Sequence, residues 1–546
     1  MHVRFMDDAM KNLLSRSLGE RFLANQRGNI AMVTALAVVP LTVASMGAVD
    51  LTRSVAARVE LQDALDAAAL AAGRSYTTDT SQLQATGQRI LTQNIAATSD
   101  FTVTSSSFTL GDNGKIEASA TATYQPTFTL LSGGGAKQIT ATTEVERANS
   151  ILEIAMVLDN TGSMDDSLGS GGSKISLLRT AASNFVDTMS AASAQSSTPN
   201  SIKIALVPFS NAVNVGSTYK TATWIDQNGL SPINNQIFTT KQGVVPSTAV
   251  NRFTLFSNLN TTWGGCVESR QAPYDIQDTA PSTTTPATLF TPYFAPDEQD
   301  GVVDRHGNKL SNNYVKDPTK DASGKTLDWW GQQGSTTKYS TTPTTTLNTS
   351  FGPNAGCGMQ AVQRLTTDFS ALKTAISAMV AVGDTNIPMG LAWGWHTLSP
   401  SAPFADGVPY LTDKHKKIVV LMTDGQDTMT ANSNTNNNSY YSGVGYVWQG
   451  RVLDANGNPV NSITSSSSTR TAAMDDRLKK ICTNMKASSV GIEIYAIGVG
   501  VTTASRTLLQ SCATDSQHYF DVTTGTALNG TFQSIANQIS QLHLSK

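Results

Sequence analysis

The sequence feature that most constrains this chain is an uncharged stretch near the N-terminus. Residues 30–49 (IAMVTALAVVPLTVASMGAV) run for 20 positions without Asp, Glu, Lys or Arg. At about 1.5 Å per residue, a helix of that length matches the hydrocarbon core of a bilayer, which is roughly 30 Å thick. The stretch contains Pro40, and a single proline is tolerated in a membrane helix. The sequence therefore predicts a transmembrane helix over 30–49.

The charges on either side of this stretch predict its orientation. Five basic and three acidic residues precede it, whereas residues 50–75 carry three basic and four acidic residues. Because basic residues concentrate on the cytoplasmic side of a span, we expect residues 1–29 in the cytoplasm. A single pass through the inner membrane then places the C-terminal part in the periplasm or outside the cell. Two alternatives stay open: a signal peptide cleaved near 45–47 (SMG), and a buried helix of a soluble protein.

Length and composition limit the class of protein. A chain of 546 residues is too long for one ordinary core, so more than one domain is expected. A formal net charge of −3 provides no basic field for binding nucleic acid. The four cysteines and six histidines form no CxxC pair and no HExxH motif, which argues against a zinc site.

The sequence divides into further segments after the apolar stretch. Residues 50–75 are alanine-rich and free of proline, which predicts a membrane-proximal helix. Residues 76–149 contain runs that alternate with period two, and 112–114 (DNG) supplies a turn between two of them. We therefore expect a small β-rich module at 76–149.

From residue 150 onward, apolar strands alternate with amphipathic helices. The run at 151–158 (ILEIAMVL) is almost entirely apolar, which is typical of a strand covered on both faces. Such alternation predicts an α/β fold with a doubly wound, mostly parallel sheet over 150–546. Two Thr-, Ser- and Asn-rich insertions interrupt it, at 216–354 and 426–468. They are interpreted either as partner-binding loops or as poorly ordered spacers.

Polar residues follow two of the predicted strands directly. The segment 159–163 (DNTGS) follows the strand at 151–158, and Asp424 follows the strand at 417–422. Thr385 lies in the turn before a helix that opens with a proline in its first turn. In open α/β sheets the loops at the carboxyl ends of the strands converge on one crevice. The residues predicted to meet there are Asp159, Thr161, Ser163, Thr385 and Asp424.

These five side chains are two carboxylates and three hydroxyls. Such hard oxygen donors, without nitrogen or sulfur, suit Mg²⁺ and also accommodate Mn²⁺ or Ca²⁺. With so few charged ligands, the ion would keep an open position that a partner's carboxylate can fill. The alternative for 159–163 alone is an ordinary strand-to-helix turn that caps a helix. Four nearby acidic residues are interpreted as solvated loop or cap residues: Asp165, Asp166, Asp384 and Asp427.

The chain resembles the TadG-like proteins of the tight-adherence (Flp) pilus-assembly family. The resemblance is carried by 27–30 (RGNI), by the apolar span, and by 61–71 (LQDALDAAALA). It covers nearly the whole chain except 216–354. In that family a membrane-anchored segment precedes a von Willebrand factor A domain with a metal-ion-dependent adhesion site. The resemblance implies that the family's Asp-x-Ser/Thr-x-Ser motif, distant threonine and second aspartate fall on the five residues named above.

The expected function is therefore membrane-anchored adhesion or pilus assembly, without catalysis. The metal-dependent site would bind an acidic group of a partner protein or surface ligand. A structural scaffold of the cell envelope, without metal-dependent binding, is the alternative. An enzyme is the least favoured class, because no pair of catalytic base and nucleophile is visible in the sequence.

The four cysteines allow three pairings. The most local joins Cys266 to Cys357 and Cys482 to Cys512. These disulfides require an oxidising compartment, which export supplies. Free thiols are the alternative.

Overall fold

The computed structural model describes residues 26–75, 79–96, 99–111, 115–128, 135–146, 150–168, 172–196, 198–239, 248–461 and 466–544. The chain divides into two compact units, Met1–Arg147 and Ala148–Lys546. The predicted turn at 112–114 and residues 1–25 of the predicted cytoplasmic segment lie outside the described residues.

The first unit is built on one long helix. Helix α1 (Gln26–Arg74) has 49 residues, so the predicted transmembrane and membrane-proximal helices are continuous. By length and composition, Met32–Arg74 contains a candidate membrane span, and the most apolar part of this helix is not buried inside the protein. Large apolar side chains such as Leu36 and Leu41 are exposed there. Such exposure is the arrangement that lipid contact requires.

The C-terminal half of α1 belongs to the core of the first unit. Leu61, Leu65 and Ala68 are fully buried. They join a core that includes residues of a second helix and a three-stranded antiparallel sheet in the order β1-β2-β3. These elements are α2 (Thr80–Asn94), β1 (Phe101–Leu110), β2 (Lys115–Tyr124) and β3 (Lys137–Glu146). The segment predicted as a β-rich module contains three strands and also a helix that the sequence did not predict.

The second unit contains a six-stranded sheet in the order β11-β10-β9-β4-β5-β8. The strands of this unit are β4 (Ile151–Asp159), β5 (Ile202–Phe209), β6 (Val213–Asn214), β7 (Cys266–Val267), β8 (Gln363–Thr366), β9 (His415–Thr423), β10 (Glu493–Val499) and β11 (Tyr519–Val522). Within the six-stranded sheet, the edge strand β8 pairs with β5 in antiparallel fashion, and the other neighbouring pairs are parallel. The predicted mostly parallel sheet is confirmed.

Helices cover both faces of this sheet. The helices of the unit are α3 (Lys174–Gln195), α4 (Arg252–Asn258), α5 (Trp329–Gly334), α6 (Phe369–Ser377), α7 (Ile387–Leu398), α8 (Ser467–Lys486), α9 (Thr503–Cys512) and α10 (Gly525–Leu544). Buried side chains of α3, α6 and α10 form one core with the sheet, and those of α7, α8 and α9 contribute to another. Two separate cores against one sheet confirm the doubly wound α/β class.

The described parts of both insertions are packed parts of the second unit. Phe290 and Phe294 of the first insertion are buried in the same core as Trp393 of α7. Arg451 of the second insertion forms a buried ion pair of 2.7 Å with Glu268 of the first. Buried ionic contacts of this kind require a fixed geometry. The described parts of the insertions therefore do not behave as loose spacers.

Two disulfides form within the second unit. Cys266 is bonded to Cys357, and Cys482 is bonded to Cys512. The predicted local pairing is confirmed. The first bond joins β7 to the segment that follows the first insertion, and the second joins α8 to α9.

Candidate metal centre

Asp159 lies at the carboxyl end of β4, between the neighbouring strands β5 and β9. Its side chain is fully buried, and both carboxylate oxygens accept hydrogen bonds. The backbone N–H of Thr161 donates to Oδ1 at 2.9 Å, and the hydroxyl of Thr423 donates to Oδ2 at 2.6 Å. These contacts fix the orientation of the carboxylate at the edge formed by the carboxyl ends of the strands.

The hydroxyls of the first loop connect this carboxylate to the second one. Thr161 Oγ1 and Ser163 Oγ lie 3.1 Å apart, and the Ser163 hydroxyl donates to Asp424 Oδ1 at 2.8 Å. Asp424 directly follows β9, which pairs with β4. Hydrogen bonds therefore link four of the five predicted residues across the ends of two adjacent strands.

Thr385 lies in the loop that precedes α7, and this loop contacts the loop that follows β4. Gly162 N donates to the carbonyl oxygen of Gly383 at 2.9 Å, which ties this loop to the first one. Thr385 Oγ1 lies 3.8 Å from the position that a Cβ on Gly425 would occupy. The threonine hydroxyl is thus placed beside Gly425, the residue that follows Asp424.

Lys174 is a charged residue of the site that the sequence analysis missed. It is the first residue of α3, and its Nζ lies 2.7 Å from Asp424 Oδ2. The same ammonium lies 3.4 Å from the carbonyl oxygen of Ser163. The lysine side chain is 14% exposed and that of Asp424 is 0% exposed, so the pair is shielded from water. In the sequence, its placement at the site is indicated only by its position directly after the loop that follows β4.

The neighbouring acidic residues differ in their environments. Asp165 and Asp166 are exposed, as predicted. Asp384 is partly buried and is hydrogen-bonded by Thr430, and burial raises its pKa. Asp427 is buried rather than solvated, and its Oδ1 accepts the backbone N–H of Ile387 at 2.7 Å. Asp427 therefore caps α7, and burial raises the pKa of this carboxyl well above its ordinary value.

The electrostatics of the site favour a cation. Burial and, to a smaller extent, the nearby negative charge of Asp424 raise the pKa of Asp159 to about 6. Hydrogen bonds from Thr161 and Thr423 act in the opposite direction. Two carboxylates drawn into one buried region repel each other, and a positive charge placed between them relieves that repulsion.

The chemistry of the donors fits Mg²⁺. No group of three or more His, Cys, Asp or Glu side chains converges within the part of the chain that the structure describes. The side chains of the five predicted residues offer carboxylate and hydroxyl oxygens as cation ligands. Such a set suits Mg²⁺, Mn²⁺ or Ca²⁺ better than zinc.

A cavity of about 570 Å³ adjoins this edge. Gly383 and Asp384 line it from the loop that also carries Thr385. Both insertions supply most of the remaining wall, including Lys309, Ser311, Phe351 and Tyr440.

Comparison with known proteins gives one family match. Residues 28–75 match the model of a family described as "Putative Flp pilus-assembly TadE/G-like". The match covers most of α1 and confirms the predicted resemblance for this part of the chain. A search of curated proteins gave no match.

Several solved structures are distantly similar. The PilB minor pilin from Streptococcus sanguinis is 13% identical, with a TM-score of 0.31 over 81% of this chain and 78% of that one. The von Willebrand factor domain of the type V pili tip protein Mfa5 from Porphyromonas gingivalis is 12% identical, with a TM-score of 0.32 over 73% and 97%. Proximal thread matrix protein 1 from the mussel byssus, with a zinc-occupied MIDAS motif, is 11% identical, with a TM-score of 0.27 over 72% and 46%. Similarities this distant carry no inference about what the present chain binds.

Proposed function

We propose that this chain is a membrane-anchored protein of adhesion or pilus assembly, and that its second unit binds partners without catalysing a reaction. A divalent cation held by oxygen atoms of Asp159, Thr161, Ser163, Thr385 and Asp424 would recognise an acidic group of a partner protein or surface ligand. The observation that carries the proposal is the hydrogen-bonded link between Ser163 and Asp424, because it joins the two loops that hold the two carboxylates.

The family match supports the pilus-assembly part of the proposal. It falls on residues 28–75, within the helix that contains the candidate membrane span. The charges that flank the span favour a cytoplasmic N-terminus. We propose a single pass through the inner membrane, with the part of the first unit that follows the span, and the second unit, on its outer side. The two disulfides are consistent with that oxidising location.

The cavity beside the site supports the partner-binding part. A Mg²⁺ ion held by the five residues would supply positive charge for binding a carboxylate. The cavity next to it offers apolar surface from Phe351 and Tyr440 and a positive charge from Lys309. The Ser311 hydroxyl is buried there and has no hydrogen-bond partner among the described residues. A peptide segment with an acidic residue next to an apolar one would complement both the cation and the cavity.

Cation titration of the full-length chain in detergent tests the proposal. We expect wild-type protein to bind Mn²⁺ or Mg²⁺, and Asp159→Asn to weaken that binding about 100-fold or more, because it removes one of two charged ligands. Asp187→Asn is the matched control, since Asp187 is an exposed carboxylate of α3 in an ion pair with Lys373. Its effect should be within about twofold. If the wild-type protein binds no divalent cation, the proposal fails and the envelope scaffold becomes the better interpretation.

A further inference from the structure

The fold holds Lys174 in place, in contrast to a lysine on the surface, whose side chain is flexible. Its backbone N–H donates to the carbonyl oxygen of Asp166 at 2.9 Å, and the residue opens α3 directly after the loop from β4. Most of its side chain is buried. A lysine held in this way loses little conformational freedom when its ammonium contacts a partner.

The ammonium contacts the same carboxylate that the proposed cation needs. Asp424 Oδ2 is 2.7 Å from Lys174 Nζ, and Asp424 Oδ1 accepts the Ser163 hydroxyl. The carboxylate of Asp424 thus already has an internal counter-charge. A divalent cation on Asp424 would meet that charge at short range and in a shielded environment, where repulsion between like charges is strong.

We infer that Lys174 sets the cation affinity of this site by competing for Asp424. This inference rests on the proposed function. The ammonium and the divalent cation neutralise the same carboxylate, so cation binding must weaken or displace the 2.7 Å ion pair. Removing the ammonium removes the competitor, and cation affinity rises. The site is therefore built for weak retention of its cation, and an acidic partner group that completes the charge balance strengthens that retention.

The test compares the Mn²⁺ affinity of full-length protein in detergent, measured by electron paramagnetic resonance of the free ion. Lys174→Met keeps the length of the apolar stem and removes the charge, whereas Lys174→Arg keeps the charge. Lys373→Met is the matched control, because it removes an exposed lysine whose ion pair with Asp187 is also 2.7 Å long. We expect Lys174→Met to raise the affinity about 10-fold or more. Lys174→Arg should stay within about threefold of wild type, and Lys373→Met within about twofold.

Each outcome decides the inference. If wild-type protein binds Mn²⁺ and Lys174→Met binds it equally or more weakly, Lys174 is not a competitor and the inference is overturned, while the proposed function stands. If only Lys174→Met binds Mn²⁺, the ammonium excludes the cation from the wild-type site, so the competition is supported and the proposed function is contradicted. If neither binds, both proposals fail. Thermal unfolding in EDTA confirms that each variant is folded, and Lys174→Gln replaces Lys174→Met if the latter does not fold.

Discussion

The hydroxyl of Ser163 donates a hydrogen bond of 2.8 Å to Oδ1 of Asp424, a residue 261 positions away in the sequence. The contact exists because β4 and β9 are paired in parallel, with Leu158 opposite Met422, so that the loops following both strands leave the sheet at the same edge. A local motif and a distant aspartate are thereby combined into one site. The sheet topology, and not the motif alone, creates the cluster of oxygen atoms.

Replacing Ser163 tests that link directly. Ser163→Ala leaves Asp424 Oδ1 without its donor, and an unmade hydrogen bond to a buried charged group costs about 1–3 kcal/mol. We expect the free energy of unfolding in EDTA to fall by that amount, as measured by urea denaturation. Ser370→Ala, on the exposed surface of α6, should change it by less than about 0.5 kcal/mol. Equal stability of the two variants would show that the link contributes nothing.

Glycines in α7 allow this helix to approach the sheet closely. A Cβ added at Gly394 would overlap the side chain of Val157 on β4. Overpacking at such a contact costs about 1–3 kcal/mol, so Gly394→Ala should destabilise the second unit by that amount. Gly530→Ala, in α10, is the control, because an added Cβ there meets no atom within 4 Å. Its better helix propensity should make it neutral or more stable by up to about 1 kcal/mol in thermal unfolding.

A buried ionic cluster joins the two insertions. Glu268 pairs with Arg252 of the first insertion and with Arg451 of the second, and these side chains are 5% exposed or less. Glu268→Ala leaves two guanidinium groups buried without their acidic partner. Loss of one partner from a buried pair costs about 3–5 kcal/mol. We expect a fall of this size in denaturant unfolding, whereas breaking the exposed Lys373–Asp187 pair should cost at most about 1 kcal/mol.

The two disulfides lead to one prediction for peptide mapping and one for stability. Non-reducing digestion of the protein should yield Cys266 linked to Cys357 and Cys482 linked to Cys512. The first bond closes a loop of 91 positions, the longer of the two. Its loss should therefore increase the conformational entropy of the unfolded chain more than loss of the second bond. Cys266→Ser with Cys357→Ser should cost about 2–5 kcal/mol. Peptides joined in any other pairing would contradict the packing of α8 against α9.

The stability of the second unit should depend on the protonation of His396. Burial, and to a smaller extent the positive charge of Arg270, hold the pKa of this imidazole well below its ordinary value of 6.5. Protons therefore bind the unfolded chain more readily, and stability present above about pH 6.5 is lost as the pH falls below it. The free energy of unfolding should therefore fall as the pH is lowered from about 7.5 to about 5. His396→Gln should remove that part of the pH dependence in urea titrations, whereas His306→Gln, in an exposed loop, should not.

The main strands were predictable because they are buried on both faces. Residues 151–158 were predicted as a strand, and β4 (Ile151–Asp159) has the same start and is one residue longer. Helix α2 was not predicted, because it is rich in Thr and Gln and only Leu83, Gly87 and Leu91 are buried in it. The edge strand β8 also went unpredicted, since four residues of sequence QRLT carry no apolar run.

The positions of Asp159 and Asp424 at the ends of two strands could be predicted from the sequence, but the ammonium of Lys174 beside Asp424 could not. The ends of the strands identify where Asp159 and Asp424 lie, since parallel strands deliver their following loops to one edge. The contact of Lys174 with Asp424 depends on how α3 begins relative to β9, 250 positions away in the sequence. Such a distance is set by tertiary packing, which no local pattern records. The same reason explains why Asp427, predicted as a solvated or capping residue, is a buried cap.

The unbroken course of α1 has a mechanical consequence. A helix of 49 residues is about 74 Å long. Its N-terminal half carries exposed apolar side chains, and its C-terminal half is locked into the core beside the three-stranded sheet. No loop separates these halves. A force or torque on the three-stranded sheet is therefore transmitted to the exposed apolar segment by a continuous helix and not by a flexible linker. The tilt of this one helix in the bilayer would therefore dictate the direction in which the first unit points.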